Sequence, residues 1–346
     1  MIHMQQMEKD ADSLAKFVQQ KADSTLAKSK VPGILVLYNN KDVSGIYSAG
    51  YADPATKKTF DNKTFFETGS ITKTFTAYVL MSVLRDHKIE DSTAIITYLP
   101  KAVQQNSALN HIRFLNLMNH TSGLPRLPQN MELKDNDLQP YADYDSKKLF
   151  EYLQTAKPAT NGKYEYSNLG AGLAGVLAET ISGKSYAALL DQYIFLPFKM
   201  VDKNNSLEKS ANKSQGYIDD DTKAEYWNMN VLAPAGGLKC NADEMIKYLQ
   251  NMSKPANKQT AALIDSLTVS TYQLSSVMGI GRGWHYLAQK NKPVIYWHNG
   301  GTYGFSTFAA FVKGTGQWVM VVVNMFDKNN TVSDKIGMQI IQKMLD

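Results

Sequence analysis

Ser70-Ile71-Thr72-Lys73 places a hydroxyl and an amine three residues apart, on one side of a helix if the segment is helical. That pairing sets a nucleophile beside a base. A serine hydroxyl is a weak nucleophile near neutral pH and reacts when a neighbouring group removes its proton as it attacks. The same pattern recurs at Ser13/Lys16, Ser206/Lys209 and Ser210/Lys213, so the four letters alone do not choose among them. Ser70 differs in following a glycine and opening a mostly apolar run, Thr74 to Leu84, long enough for a buried helix. Ser13 lies on a charged amphipathic stretch and the other two in a polar loop. Taken by itself, Ser70 reads equally well as a helix cap.

Two further constellations carry chemistry. Tyr164-Glu165-Tyr166-Ser167-Asn168-Leu169-Gly170 brings a phenol and an amide two residues apart at the entrance of a Gly/Ala/Leu-rich helix, where a short loop can push both into a cleft. The spacing recurs at Tyr38/Asn40, expected in a turn, and at Tyr226/Asn228, expected in a polar loop. In Trp297-His298-Asn299-Gly300-Gly301-Thr302-Tyr303-Gly304-Phe305, His298 is the only histidine followed two residues later by glycine. It falls where an edge strand is expected to begin, and glycines there permit close backbone approach by a ligand. An extended substrate can pair with such a strand through main-chain hydrogen bonds. In isolation, Asn168 also reads as a cap, Tyr166 as packing and His298 as a structural histidine.

The elements that must position these residues are legible in outline. Apolar positions Leu14, Phe17, Val18, Ala22 and Leu26 predict an amphipathic first helix stopped at Val31-Pro32-Gly33. Ile34–Tyr38 and Gly45–Tyr51 predict a hairpin across Asn39-Asn40-Lys41-Asp42. After the Ser70 helix the chain reads as mainly helical to about residue 200, with helices near Ile112–Asn119, Ser146–Thr155, Leu169–Ile181 and Tyr186–Phe195. Polar loops, Arg126–Tyr144 and Asp202–Tyr226, interrupt it and are expected over the surface or a cleft. Strands return at Val294–Trp297, Gly304–Val312 and Trp318–Asn324, the last two joined through Gly314-Thr315-Gly316. A helix from Val332 to Leu345 closes the chain.

Strands at both ends with helices between predict an α+β fold: an antiparallel sheet flanked by helices and built from both termini, with a mainly helical domain inserted. The boundaries expected are 1–75 with 232–346 for the first and 76–231 for the second, with a substrate site in the cleft between them.

The 346 residues suffice for a substantial core, and 43% hydrophobic with 20% charged residues is ordinary globular composition. A formal charge of +5 spread over scattered lysines argues against a nucleic-acid partner. The one cysteine, Cys240, excludes an internal disulfide and any multi-cysteine zinc site, and reads as a packed residue. No cofactor or metal is expected, and no apolar run reaches the length of a membrane span. Met1 to Gln5 lacks the core of a signal peptide and reads as residues ahead of a mature chain. No Gly-x-Ser-x-Gly elbow appears, which disfavours an unrelated α/β-hydrolase.

Taken in order, the three motifs resemble the penicillin-recognising serine hydrolases, which include class C β-lactamases, serine DD-peptidases and their esterase and D-aminopeptidase relatives. Asn119-His120-Thr121-Ser122-Gly123-Leu124-Pro125 and Pro234-Ala235-Gly236-Gly237-Leu238 resemble the same family, extending the likeness from about residue 30 to the end. The resemblance implies a β-lactamase/transpeptidase-like fold and an acyl-enzyme on Ser70, with Lys73 or Tyr166 as base. It further implies an oxyanion hole from the Ser70 and Gly301 amides, and substrate contacts from Asn168, His298, Asn299, Gly300 and Thr302. His120, Gly123, Gly236 and Gly237 look structural by the same likeness. His298 stands where class C enzymes typically carry lysine, a form similar to the DD-peptidases, esterases and D-aminopeptidases. Asn299 stands where threonine is common, and Arg282 in Gly281-Arg282-Gly283-Trp284 is expected to supply the missing carboxylate contact.

The function so implied is hydrolysis of peptides or small esters and amides, with a D-alanyl-D-alanine-type peptidase ahead of a carboxylesterase and a weak class C-like β-lactamase third. The partner is then a small molecule or peptide, and the family likeness points to a periplasmic or secreted setting. A catalytically silent peptidoglycan sensor on the same fold is the reading from a different class. The joint presence of Ser70, Lys73 and Tyr166 argues against it.

Overall fold

Along the run Trp318 to Val323, side chains of alternating direction are all buried, so this strand lies between two apolar layers. The computed structural model, which describes residues 2–200 and 211–346, has that arrangement. Its strands are β1 (Gly33–Asn40), β2 (Val43–Gly50), β3 (Phe66–Glu67), β4 (Lys239–Cys240), β5 (Tyr272–Gln273), β6 (Met278–Ile280), β7 (His285–Leu287), β8 (Ile295–Gly301), β9 (Ser306–Val312) and β10 (Gln317–Val323). Eight form one antiparallel sheet in the order β2-β1-β10-β9-β8-β7-β6-β5, and β3 pairs with β4. The two ends of the chain meet in the middle of the sheet, with Val36 opposite Val321.

The helices, in chain order, are α1 (Ile2–Lys28), α2 (Thr72–Asp86), α3 (Lys101–Gln104), α4 (Phe114–Met118), α5 (Ser146–Thr155), α6 (Asn168–Ser182), α7 (Tyr186–Leu190), α8 (Ala233–Gly236), α9 (Ala242–Ser253), α10 (Lys258–Thr268) and α11 (Thr331–Leu345). α1 and α11 cover one face: Leu14, Val18, Ile336 and Ile340 pack on Ile34, Val36, Ala310 and Val321. The opposite face, including Leu35, Phe311, Met320 and Val322, shares a continuous core with α2, α6 and α9. α2 is buried on nearly every side, and its buried Thr72, Thr74 and Thr76 hydroxyls each donate to a main-chain carbonyl. Phe75 on α2 stacks on Tyr248 of α9 with ring centroids 3.7 Å apart.

The hairpin, the Ser70 helix, the central helices and the closing strands and helix all form near their expected positions. Tyr38 and Asn40 lie in β1 and not in a turn, because both remain paired with β2. β5 to β7 and the helices α9 and α10 fill a stretch for which the sequence reading supplied no elements. Ser206, Lys209, Ser210 and the first part of the 202–226 loop lie outside the described residues.

Candidate active site

Ser70 sits in a single 3-10 turn, Gly69–Ile71, that runs directly into α2. The helix has no side-chain cap, so the capping alternative for the Ser70 hydroxyl does not hold. The turn is held from outside: Thr72 donates its hydroxyl to the Gly69 carbonyl at 2.7 Å and accepts the Leu238 amide at 3.1 Å. On its other side it packs against β8 at a distance only glycine allows. Gly69 has φ +55°, and a Cβ there would lie 2.6 Å from the Gly301 nitrogen. A Cβ on Gly300 would lie 2.2 Å from the Thr68 oxygen and 2.9 Å from the Ser70 nitrogen. The main chains of Ser70 and Gly301 are thereby brought side by side.

Lys73, one turn along α2, places Nζ 2.9 Å from Ser70 Oγ, 2.7 Å from Asn168 Oδ1 and 2.6 Å from the Ala235 carbonyl. It is buried, and burial first, then the positive charge of Arg126, push its amine well below the ordinary lysine range. Three acceptors, Ser70 Oγ, Asn168 Oδ1 and the Ala235 carbonyl, surround Nζ and fix its position. The Ala235 carbonyl comes from α8, whose neighbours Leu232 and Pro234 seat against α6 where Gly172 and Gly175 leave room.

Tyr166 and Asn168 stand at the entrance of α6, on a loop pinned by the 120–126 segment. Ser167 caps α6 by accepting the Gly170 amide, and donates its hydroxyl to the Pro125 carbonyl at 2.7 Å. The Ser167 amide donates to His120 Nδ1, and the Arg126 carbonyl accepts from the Asn168 and Leu169 amides. The His120 ring lies 4.4 Å from that of Tyr166. Burial raises the Tyr166 phenol well above its ordinary value, opposed by its Ser70 neighbour and by Arg126. That direction favours the protonated phenol, a proton donor, near neutral pH.

The third motif is less accessible than expected. β8 is an inner strand over Ile295–Trp297, where β7 pairs with it, and that pairing ends before His298. Asn299, Gly300 and Gly301 reach the cavity, but His298 and Thr302 do not line it. His298 is buried, with Nδ1 against the Asn299 carbonyl at 2.6 Å and Nε2 without a partner. Burial pushes the imidazole well below its ordinary value, which works against the charge that holding a carboxylate requires. Thr302 donates its hydroxyl to Glu67 at 2.7 Å. The expected substrate contact of Arg282 is corrected: its guanidinium pairs with Asp91 and the Ser266 carbonyl, in a different surface groove. That pairing leaves it structural.

The cavity over Ser70 has a volume of about 410 Å³. Tyr141, Trp227, Met229 and Phe326 form apolar walls, and Arg126 and Lys328 lie at its rim. None of these six was singled out from sequence. Arg126 alone had a signal, because it follows directly on the Asn119–Pro125 stretch. Among the described residues, no group of three or more His, Cys, Asp or Glu side chains is placed to hold a metal ion.

Comparison with known proteins gives the same direction. A β-lactamase of Providencia stuartii is 28% identical over 67% of this chain and 59% of its own length. An unguisins hydrolase of Aspergillus campestris is 25% identical over 98% of this chain and 67% of its own. Penicillin-binding protein 4* of Bacillus subtilis is 24% identical over 84% and 68%. The chain thus spans less than two thirds of the Providencia protein. The family model described as beta-lactamase matches residues 14–339, nearly the whole sequence. On that match the chain belongs to the β-lactamase family.

Proposed function

We propose that Ser70 is the nucleophile of an acyl-enzyme hydrolase, Lys73 its general base and Tyr166 the proton donor to the leaving group. The observation that carries this is the buried Lys73 amine with Nζ 2.9 Å from Ser70 Oγ. In acylation, Ser70 Oγ bonds to the substrate carbonyl carbon as its proton passes to Lys73. The oxyanion is received by the Ser70 and Gly301 amides. When the bond to the leaving group breaks, that group takes a proton from Tyr166, which is restored from Lys73. Water then attacks the ester, giving its proton to the same pair, and Ser70 leaves reprotonated. Asn168, with Oδ1 occupied by Lys73, has its amide NH₂ to offer an acyl-amide carbonyl of the substrate.

The substrates proposed are peptides of the D-alanyl-D-alanine type first, small carboxylic esters second and β-lactams third. The buried, withdrawn His298 supports that order, since burial works against the charge that the lysine of class C enzymes carries. Relatives named as a β-lactamase, a penicillin-binding protein and an unguisins hydrolase are compatible with it. The cavity draws on residues from both sides of the boundaries expected at 75/76 and 231/232, which supports that division as a proposal. So is the periplasmic or secreted setting; no helix among the described residues is long and apolar enough to cross a membrane. The test is a kinetic panel of p-nitrophenyl esters, D-Ala-D-Ala peptides, D-amino acid amides and a chromogenic cephalosporin. The peptides or esters should lead, and a cephalosporin that is much the best substrate would overturn the order.

A further inference from the structure

We propose that Arg126 selects the substrate, receiving a carboxylate on the leaving-group side of the scissile bond. The inference rests on the reading of Ser70, Lys73 and Tyr166 given above. Arg126 is exposed at the rim of the Ser70 cavity. Its guanidinium lies 5.0 Å from the centroid of the Tyr166 ring, an arrangement that fixes the side chain by cation–π attraction. Its backbone is fixed too, by the two amides of α6 that its carbonyl accepts. Among the described residues no carboxylate pairs with it, although the opposite is true of Arg282. A planar, permanently charged fork beside the proton donor to the leaving group is suited to a carboxylate carried by that group.

The placement has a consequence for the base. Arg126 is the charge that adds to burial in holding the Lys73 amine down. The other ionisable groups near Lys73 are Tyr166, His120, His285 and His298, and burial favours the protonated phenol and the neutral imidazoles. A carboxylate seated on Arg126 cancels its field, so Lys73 accepts the Ser70 proton more readily once the right substrate is bound. Anionic leaving groups then gain in kcat as well as in KM.

The test compares 3-carboxyphenyl valerate with phenyl valerate in the wild type, Arg126→Gln, Arg126→Lys and Lys328→Gln. Arg126→Gln should lower kcat/KM for the carboxylated ester at least 10-fold and leave the neutral ester within about 3-fold. Arg126→Lys should recover part of the loss. For the neutral ester, Arg126→Gln should also move the acid limb of the pH profile upward, because Lys73 is no longer held down by that charge. Lys328→Gln should change the ratio of the two esters by less than about 3-fold. Equal losses for both esters, no loss for the carboxylated one, or an equal effect of Lys328→Gln would overturn the assignment. Ser70→Ala, run alongside, separates the two levels: surviving turnover there refutes the proposed function, while the Arg126 ratio is read within the active variants.

Discussion

The floor and the rim of the Ser70 cavity are built on opposite principles. The floor is buried and close-packed: Gly69 and Gly300 bring two main chains together, and Lys73 has every hydrogen-bonding position matched. Desolvation pushes the amine of its one long side chain well below the ordinary lysine range. The rim is open and carries lone charges and aromatic surface, with Arg126, Lys328 and Phe326 exposed. A bond-making step needs groups held to fractions of an ångström, whereas recognition can be changed by replacing one exposed side chain. The contrast assigns reaction to the floor and choice of substrate to Arg126 and Phe326 at the rim.

Breaking the floor should have the largest effects. Lys73→Met keeps the bulk and removes the base, so the acylation rate should fall by about 10³-fold with any ester, measured by stopped-flow release of p-nitrophenol. In the wild type, Lys73 is active as the free amine and its folded value is depressed. Activity should therefore extend well below the pH at which an ordinary lysine becomes charged, and be lost as pH falls through the depressed value. Gly300→Ala forces the turn away from β8, and kcat should drop about 100-fold without a matching change in KM.

Changes at the rim should be smaller and depend on the substrate. Phe326→Ala should reduce kcat/KM about 5- to 10-fold for esters with bulky apolar acyl groups, and leave the acetate within about 2-fold. A uniform loss across acyl groups would erase the distinction between floor and rim. The smallest effect concerns Asp334, which accepts from Asn299 Nδ2 at 2.8 Å and has its other oxygen buried without a partner. Burial pushes its carboxyl up to about 7. A raised carboxyl favours the native state while protonated, and that contribution is lost as pH rises from the ordinary value through 7. Asp334→Asn should therefore gain about 1–2 kcal/mol over the wild type at pH 8.5, less at pH 5 and little at pH 3.5, read from urea denaturation.

How far the molecule could be read in advance follows from the range of each signal. Ser70 and Lys73 were legible because a three-residue spacing sets two side chains one helical turn apart, and the Gly69–Ile71 turn runs directly into α2. The Ala235 carbonyl was not, since a backbone acceptor 162 residues away leaves no mark on the side-chain pattern. α9 was legible but unread: Asn241 and Glu244 form a capping box, and Met245, Tyr248, Leu249 and Met252 recur at helical spacing. β5 to β7 run for only two or three residues each, too short for alternation to register. Arg282, named from sequence, and Arg126, not named, show the limit most clearly. Both are arginines near a recognised stretch, and only the fold shows that Asp91 engages the first and leaves the second at the cavity.

The central claim, that Ser70 is the reacting group, is tested most directly by covalent labelling. A fluorophosphonate probe should add one phosphonyl group to the wild type, localised by peptide mass spectrometry to Ser70. Ser70→Ala should remain unlabelled, and Lys73→Met should label far more slowly. An adduct on another residue, or equal labelling of Ser70→Ala, would contradict the account.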